Sequence, residues 1–440
     1  MEHALPKGPR SALIELVRMR DTFAYMVELA NEYEDPLTCP LVGQDPLVIT
    51  WSPEGAKAIY TADPDTFEPG AADALAVIVG SGSIFLKSGA DHKRARKLLA
   101  PPFHGDRMRA YGELIHRSAL RWARERPRDV SVPILETAQG ITLDVIIEAI
   151  FGERDEAKVR ALHRQILDVV GAFNPLIAGF RFMQRNFGGI GPWAKFKRRA
   201  DALQATMREL IANKRAHAGE DILSLLLSVK DEDGNGLPEQ ELMDQLLSFV
   251  VAGHETTAAS LAWAMYELHR SPESFEKLRR ELGSLGPAPS PEAIVKLPYL
   301  EAVCNEALRR HPPVPVLPRR LVRDFTLGKH TLPAGTRVGV CIYLAHHRPE
   351  TFEDPFTFRP ERFIGRTYTA FELMPFGGGA RRCLGAAFAT FELKIALAAM
   401  LSVGEYRLDE PKPVKSVFRI GTYGPEHGVR MTSCAPQNGA

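Results

Sequence analysis

Phe376-Gly377-Gly378-Gly379-Ala380-Arg381-Arg382-Cys383-Leu384-Gly385 delivers one cysteine to the start of an apolar segment. Three consecutive glycines let the backbone take positive φ and approach a flat object closely. Residues 384–401 read as a helix, so unpaired N–H groups and the positive end of its dipole lie beside the sulfur. Arg381 and Arg382 add positive charge, and both effects favour the thiolate. Phe376 is placed to shield the sulfur from water, which tunes a bound metal. A cysteine without such surroundings is a small buried hydrophobe, whereas this one has the setting of a metal ligand.

The spacing Phe-x-x-Gly-x-Arg-x-Cys-x-Gly, at 376, 379, 381, 383 and 385, resembles the haem-binding signature of the cytochrome P-450 superfamily. The resemblance implies haem b with Cys383 as axial thiolate, a ligand that pushes electron density into iron and favours O–O cleavage. Phe376, Gly377 and Gly385 then belong to the haem surroundings. It also implies the fold: mostly α with a small β region (α+β), a long central helix over the haem, and the cysteine loop on the proximal side.

Bulk properties agree with a soluble enzyme. The chain has 440 residues, 45% apolar and 25% charged, ordinary values for globular proteins. A formal net charge of +1 gives no case for nucleic acid. The cysteines at 39, 304, 341, 383 and 434 are scattered with no C-x-x-C pair. That argues against a disulfide framework or zinc site and for a reducing cytoplasm. No run reaches the ~18 apolar residues of a membrane span, and residues 1–10 lack the apolar core of a signal peptide. Microsomal enzymes of the superfamily carry an anchor, so a soluble, bacterial-type, monomeric enzyme is expected.

Residues 11–34 have helical character, 46–51 read as a strand, and a helix opens at Ser52-Pro53. From 104 to 270 the pattern is mostly helical, broken near 174–175, 187–192 and 231–236 by Pro, Gly and Asp/Asn punctuation. Between 321 and 344 the period shortens to that of paired strands, with Phe325–Leu327, a Pro333-Ala-Gly335 turn and a strand over 338–343. The early strand and the later ones are expected to share one small sheet. No repeat or linker divides the chain, so 1–440 reads as one interleaved domain with no fused reductase.

Leu237–His269 reads as one long helix begun by Pro238 and Glu239. Ala252-Gly253-His254-Glu255-Thr256-Thr257 in its middle is poor helix material, and by itself implies a kink with Thr256 bonding back one turn. It resembles the superfamily's oxygen-activation motif. On that resemblance Ala252 and Gly253 make room for O2, Thr256 hydrogen-bonds it, and Glu255 relays protons; His254 is structural. Glu306 and Arg309, an i,i+3 pair, resemble with Arg359-Pro-Glu-Arg-Phe363 the buried triad that locks the haem loop. Arg359 is the third member by position, with Arg362 its rival.

Haem propionates are best held by arginine. His92 and Arg96 share a helix face at i,i+4 and resemble the superfamily's His-x-x-x-Arg pair beside the haem. Arg381 and a strand arginine, Arg319 with Arg320 as close rival, complete the implied set. Lys93, Lys97 and Arg382 are candidates for a basic patch that docks an acidic redox protein.

The segments matching the substrate pocket are apolar: Ile78, Val79 and Phe85 in 71–86, Phe173 in a roof over 172–180, Val314, Val316 and Leu317 as a wall, and Tyr423 in a C-terminal turn. They suggest a lipophilic substrate such as a fatty acid, terpenoid or polyketide, as in secondary metabolism. The implied reaction is hydroxylation or epoxidation by O2, with two electrons from NAD(P)H through a reductase and a ferredoxin or flavodoxin. Two alternatives stand: a peroxide-driven peroxygenase, in whose known forms the acid–alcohol pair is replaced, and a haem sensor or electron carrier without turnover.

Overall fold

The computed structural model describes residues 5–18, 21–70, 72–103, 105, 107–173, 184–185, 188–410, 412–419 and 421–434. The chain divides into two compact units, each assembled from separate stretches. One comprises 1–70, 115–139 and 256–440; the other comprises 71–114 and 140–255.

The first unit contains the sheets. Five short strands pair in the order Leu37–Leu41, Gln44–Thr50, Arg337–Val340, Arg319–Leu321, Phe67–Pro69. The pairing of Gln44–Thr50 with Arg337–Val340 is parallel and sets Val48 opposite Val338; the other pairings are antiparallel. The early and late strands thus do form one small sheet. Helix Pro53–Thr61 follows the second strand as its sequence directs, since Ser52 Oγ accepts the Gly55 N–H and Pro53 occupies the first turn. Its apolar face, Ala56 and Ile59, packs with Val48, Phe67, Val338, Val340 and Met374 in one buried cluster.

The strand expected over 338–343 ends early, and a short helix, Ile342–His346, takes over. The Ile342 N–H turns away to the Pro315 carbonyl at 2.7 Å, so the ladder has no donor with which to continue. His330–Leu332 pairs with Phe325–Leu327 in a separate hairpin.

Helix Ala386–Val403 follows the cysteine loop. By length and composition it is apolar enough to cross a membrane, contrary to the expectation that no segment qualifies. Eleven of its residues are buried in the protein, which is the environment of a core helix. Glu239–Arg270 is one helix, continuous through 252–257 with no break at the glycine; the division between the units falls in it, between Glu255 and Thr256. In the second unit, helices Glu156–Ala172 and Pro192–Ala216 pack on each other.

Candidate active site

In the first unit, the cysteine loop wraps onto the end of helix Pro53–Thr61. Gly377 and Gly379 take φ of 65° and 66°, the left-handed region that favours glycine. A Cβ at Gly378 would strike the Tyr60 ring, and one at Gly379 its backbone carbonyl. The close approach seen at these two glycines is therefore to Tyr60. Phe376 C=O accepts the Cys383 N–H at 2.9 Å and Met374 C=O accepts the Gly377 N–H at 2.9 Å, which closes the loop on itself. Cys383 is exposed. Gly385 caps the following helix with no side-chain bond, so the helix N-terminal N–H groups are open to other partners.

Strand alternation separates the two rival arginines. Arg320 lies on the exposed face against Asp45 and Glu68. Arg319 is buried, with its guanidinium 5.4 Å from the Tyr60 ring centre, 5.3 Å from that of Phe67, and donating to Gly378 C=O at 3.3 Å. Burial lowers the Arg319 pKa. Arg381 is pushed down to about 10 by burial and by the charge of Arg319. Two guanidiniums in each other's field, one buried and one half-buried, favour a bound anion. That donor set fits a group carrying two carboxylates, as haem does.

The triad forms with one member corrected. Arg309 donates from Nε to Glu306 Oε2 at 2.7 Å and from a terminal nitrogen to Oε1 at 2.9 Å, with both side chains out of contact with solvent. The third guanidinium is that of Arg362, whose Nε donates to Glu306 Oε1 at 3.0 Å. Arg359 contributes only its backbone N–H to that carboxylate, at 2.9 Å, while its side chain turns outward to Glu353. The 3-10 turn Pro360–Phe363 rotates Arg362 inward.

A residue not foreseen joins the triad to the loop. Arg309 donates to the His346 carbonyl at 2.6 Å, His346 Nδ1 lies 3.2 Å from the Arg309 carbonyl, and His346 Nε2 accepts the Met374 N–H at 2.9 Å. Burial and the Arg309 charge lower the His346 pKa to about 3, so the ring is neutral, with its proton on Nδ1. Its sequence signal was a histidine inside an apolar run, Ile342-Tyr-Leu-Ala-His346.

In the second unit, His92 is buried and Arg96 half-buried on helix Gly89–Leu99. Lys97 of the proposed patch is paired with Glu232 at 2.6 Å, and Arg94 with Asp231 at 2.7 Å. The loop before this helix is latched to the long helix. Asp244 accepts the Gly82 N–H at 2.7 Å, Gln245 bonds both Gly82 C=O and the Ile84 N–H, and Ser83 meets Ser248 at 2.7 Å. A Cβ on Gly253 would sit 3.0 Å from Ile146, so this glycine brings the helix close to a neighbour as well as leaving space. Thr256, in the first unit's part of the helix, accepts at its carbonyl from Ser260 at 2.9 Å.

The pocket candidates are dispersed. A cavity of about 260 Å³ in the second unit is lined by Ala76, Val77, Ile78, Val169, Leu203 and Leu247 with the polar groups of Gln204, Gln240 and Asp244. Ile78 lines it; Val79 is core at 1% exposure. Phe85 is partly exposed, and Phe173 packs edge-on against Phe196. In the first unit Val316 and Tyr423, both half-buried, pack on a cluster with Phe23 and Tyr343. Val314 is half-buried and Leu317 exposed. The roof residues 174–180 lie outside the described residues.

Residues 6–419 match the family model described as Cytochrome P450. Cytochrome P450 137 of Mycobacterium tuberculosis is 34% identical over 411 residues, 92% of this chain and 84% of that protein. Cytochrome P450 135B1 of Mycobacterium bovis is 31% identical over 97% of this chain and 92% of its own length. The structure of a cyanobacterial CYP120A1 with retinoic acid bound superposes with a TM-score of 0.83, covering 98% of this chain and 99% of that one, at 23% identity. The fold is thus the mostly helical one expected, and the chain belongs to the cytochrome P450 family of haem-thiolate monooxygenases.

Proposed function

We propose that Cys383 is the axial thiolate of the haem b of this monooxygenase, and that Arg319, Arg381, His92 and Arg96 bind its propionates. The observation that carries this reading is the pair of guanidiniums at the cysteine loop, Arg319 buried and Arg381 half-buried, whose pKa values burial lowers. The family match runs through both units, which supports reading 1–440 as one domain. Bound haem supplies the activation of O2 with two electrons and the transfer of one oxygen atom to carbon. The protein's part is to position and to protonate. Thr256 presents a hydroxyl proton to dioxygen, and Glu255 replenishes it. Ala252 and Gly253 keep the helix surface small beside that hydroxyl.

The substrate is a lipophilic small molecule, a fatty acid, terpenoid or polyketide, taken against apolar surfaces such as that of Ile78. Its oxidation is hydroxylation or epoxidation. A ferredoxin or flavodoxin with an NAD(P)H-dependent reductase delivers the two electrons. Product formation from a lipophilic panel, driven by NAD(P)H through a surrogate ferredoxin system, tests the reading. The wild type is expected to couple electrons to product, and Thr256→Ala to divert them to peroxide; unchanged coupling in Thr256→Ala would make the oxygen-activation assignment wrong.

A further inference from the structure

The cavity of about 260 Å³ in the second unit has apolar walls, among them Ile78, Leu203 and Leu247, and three polar side chains, Gln204, Gln240 and Asp244. That volume is below the roughly 300–1,000 Å³ that encloses a whole small molecule, so the cavity takes one end of a longer one. Asp244 is 1% exposed. Its carboxyl lies against Gly80, another lining residue, where a Cβ would strike it.

Both carboxyl oxygens of Asp244 accept hydrogen bonds, Oδ2 from the Gly82 N–H at 2.7 Å and Oδ1 from Gln240 Nε2 at 2.8 Å. Accepting at both oxygens is the pattern of an ionised carboxylate, which still has lone pairs to offer. Both donors are neutral. Among the described residues no cation pairs with Asp244; Lys87 and Arg94 pair instead with Glu241, at 3.2 and 3.8 Å. A buried charge without a counterion is costly, and the cavity is the space on which this one borders.

Asp244, Leu247 and Val251 recur at i, i+3 and i+7 along the long helix, one stripe of its surface, and the stripe ends next to Ala252. At a rise of about 1.5 Å per residue, Asp244 and Ala252 are about 12 Å apart along the axis. We propose that Asp244 anchors the protonated amine of a lipophilic substrate, whose apolar chain runs from this cavity along the stripe and is oxidised far from the nitrogen. The inference rests on the reading of a lipophilic substrate taken against Ile78, with Ala252 beside dioxygen. It narrows the substrate class: the end group is a cationic donor, and a carboxylate end is repelled.

Calorimetric titration of the haem-loaded enzyme with N,N-dimethyldodecylamine, dodecanol and dodecanoate, each kept below micelle formation, tests the site. The amine is expected to bind about tenfold tighter than the alcohol, and dodecanoate more weakly than either. Asp244→Asn is expected to abolish the preference for the amine. Because Asp244 also holds Gly82, a second variant leaves that bond in place. Gln204→Lys supplies the cavity with an ammonium of the protein's own, and is expected to weaken the amine about tenfold without effect on the alcohol. The wild type is expected to place oxygen on the half of the dodecyl chain remote from nitrogen. Alcohol bound as tightly as amine, an amine preference that survives either variant, or oxidation at the carbons next to nitrogen would overturn the Asp244 site and leave the lipophilic reading standing. If none of the three compounds binds, the lipophilic reading falls with it.

Discussion

Nε2 of His346 accepts the backbone N–H of Met374 at 2.9 Å, and this bond ties the buried charges of the triad to the cysteine loop. Arg309 holds His346 from both sides of the helix turn, and Met374 C=O in turn receives the Gly377 N–H. Glu306, Arg309 and Arg362 thereby act on the position of Cys383 through hydrogen bonds, with no direct contact required. His346→Ala leaves the Met374 N–H buried without an acceptor, a cost of about 1–3 kcal/mol. Thermal unfolding and the haem-to-protein ratio should both fall in this variant; a ratio equal to the wild type would show that the loop does not depend on His346.

Arg362 and Arg359 should behave unlike each other despite being three residues apart. The Arg362 side chain is 2% exposed against a Glu306 that is fully buried, and removing one partner of such a pair costs about 3–5 kcal/mol. The Arg359 side chain is 38% exposed against a Glu353 that is 78% exposed, where pairs contribute at most about 1 kcal/mol. Chemical denaturation of Arg362→Ala and Arg359→Ala reads the difference, and equal losses would contradict the corrected triad.

Arg319→Ala and Arg320→Ala make a second such comparison. Arg319 is buried beside the loop and Arg320 is on the outer face of the same strand. Haem titration of the apoprotein should show weaker binding for Arg319→Ala, with Arg320→Ala close to wild type. The reverse order would assign the propionate to Arg320.

Acid should destabilise the fold through buried histidines. Burial, with a nearby charge in each case, lowers the pKa of His346 to about 3, of His254 to about 4, and of His347 well below its usual value. The unfolded chain binds protons at these sites near pH 6.5 and the folded one does not. Their contribution to stability is therefore whole above about pH 6.5 and declines as pH falls towards the folded values, by up to about 1.4 kcal/mol per pH unit for each ring. Urea midpoints at pH 7.5 and pH 5 should drop accordingly; a midpoint that holds or rises at pH 5 would contradict the neutral assignment.

The cysteine loop, the long helix and the strand pairing were legible in the sequence because each is written locally, in glycine runs, periodicity and turn residues. What escaped depends on chain segments far apart. Arg359 and Arg362 differ only by the rotation of one 3-10 turn, which no pattern encodes. The latch of Asp244, Gln245 and Ser248 onto Gly82–Ile84 joins segments about 160 residues apart, and its one local trace is polar side chains on a buried helix face. Apolar surface reads alike in core and cavity, so Ile78, which lines a cavity, and Val79, which is 1% exposed, look the same in the sequence. His254, read as structural, is buried and packs against Thr142.

The central claim is sulfur ligation by Cys383, and the spectrum of the reduced enzyme under carbon monoxide tests it most directly. The wild type is expected to show the strongly red-shifted Soret band of a thiolate-ligated haem, and Cys383→Ser to lose that band while keeping the helical signature of the fold. A wild-type band at the position of an imidazole-ligated haem, or a red-shifted band that persists in Cys383→Ser, would contradict it.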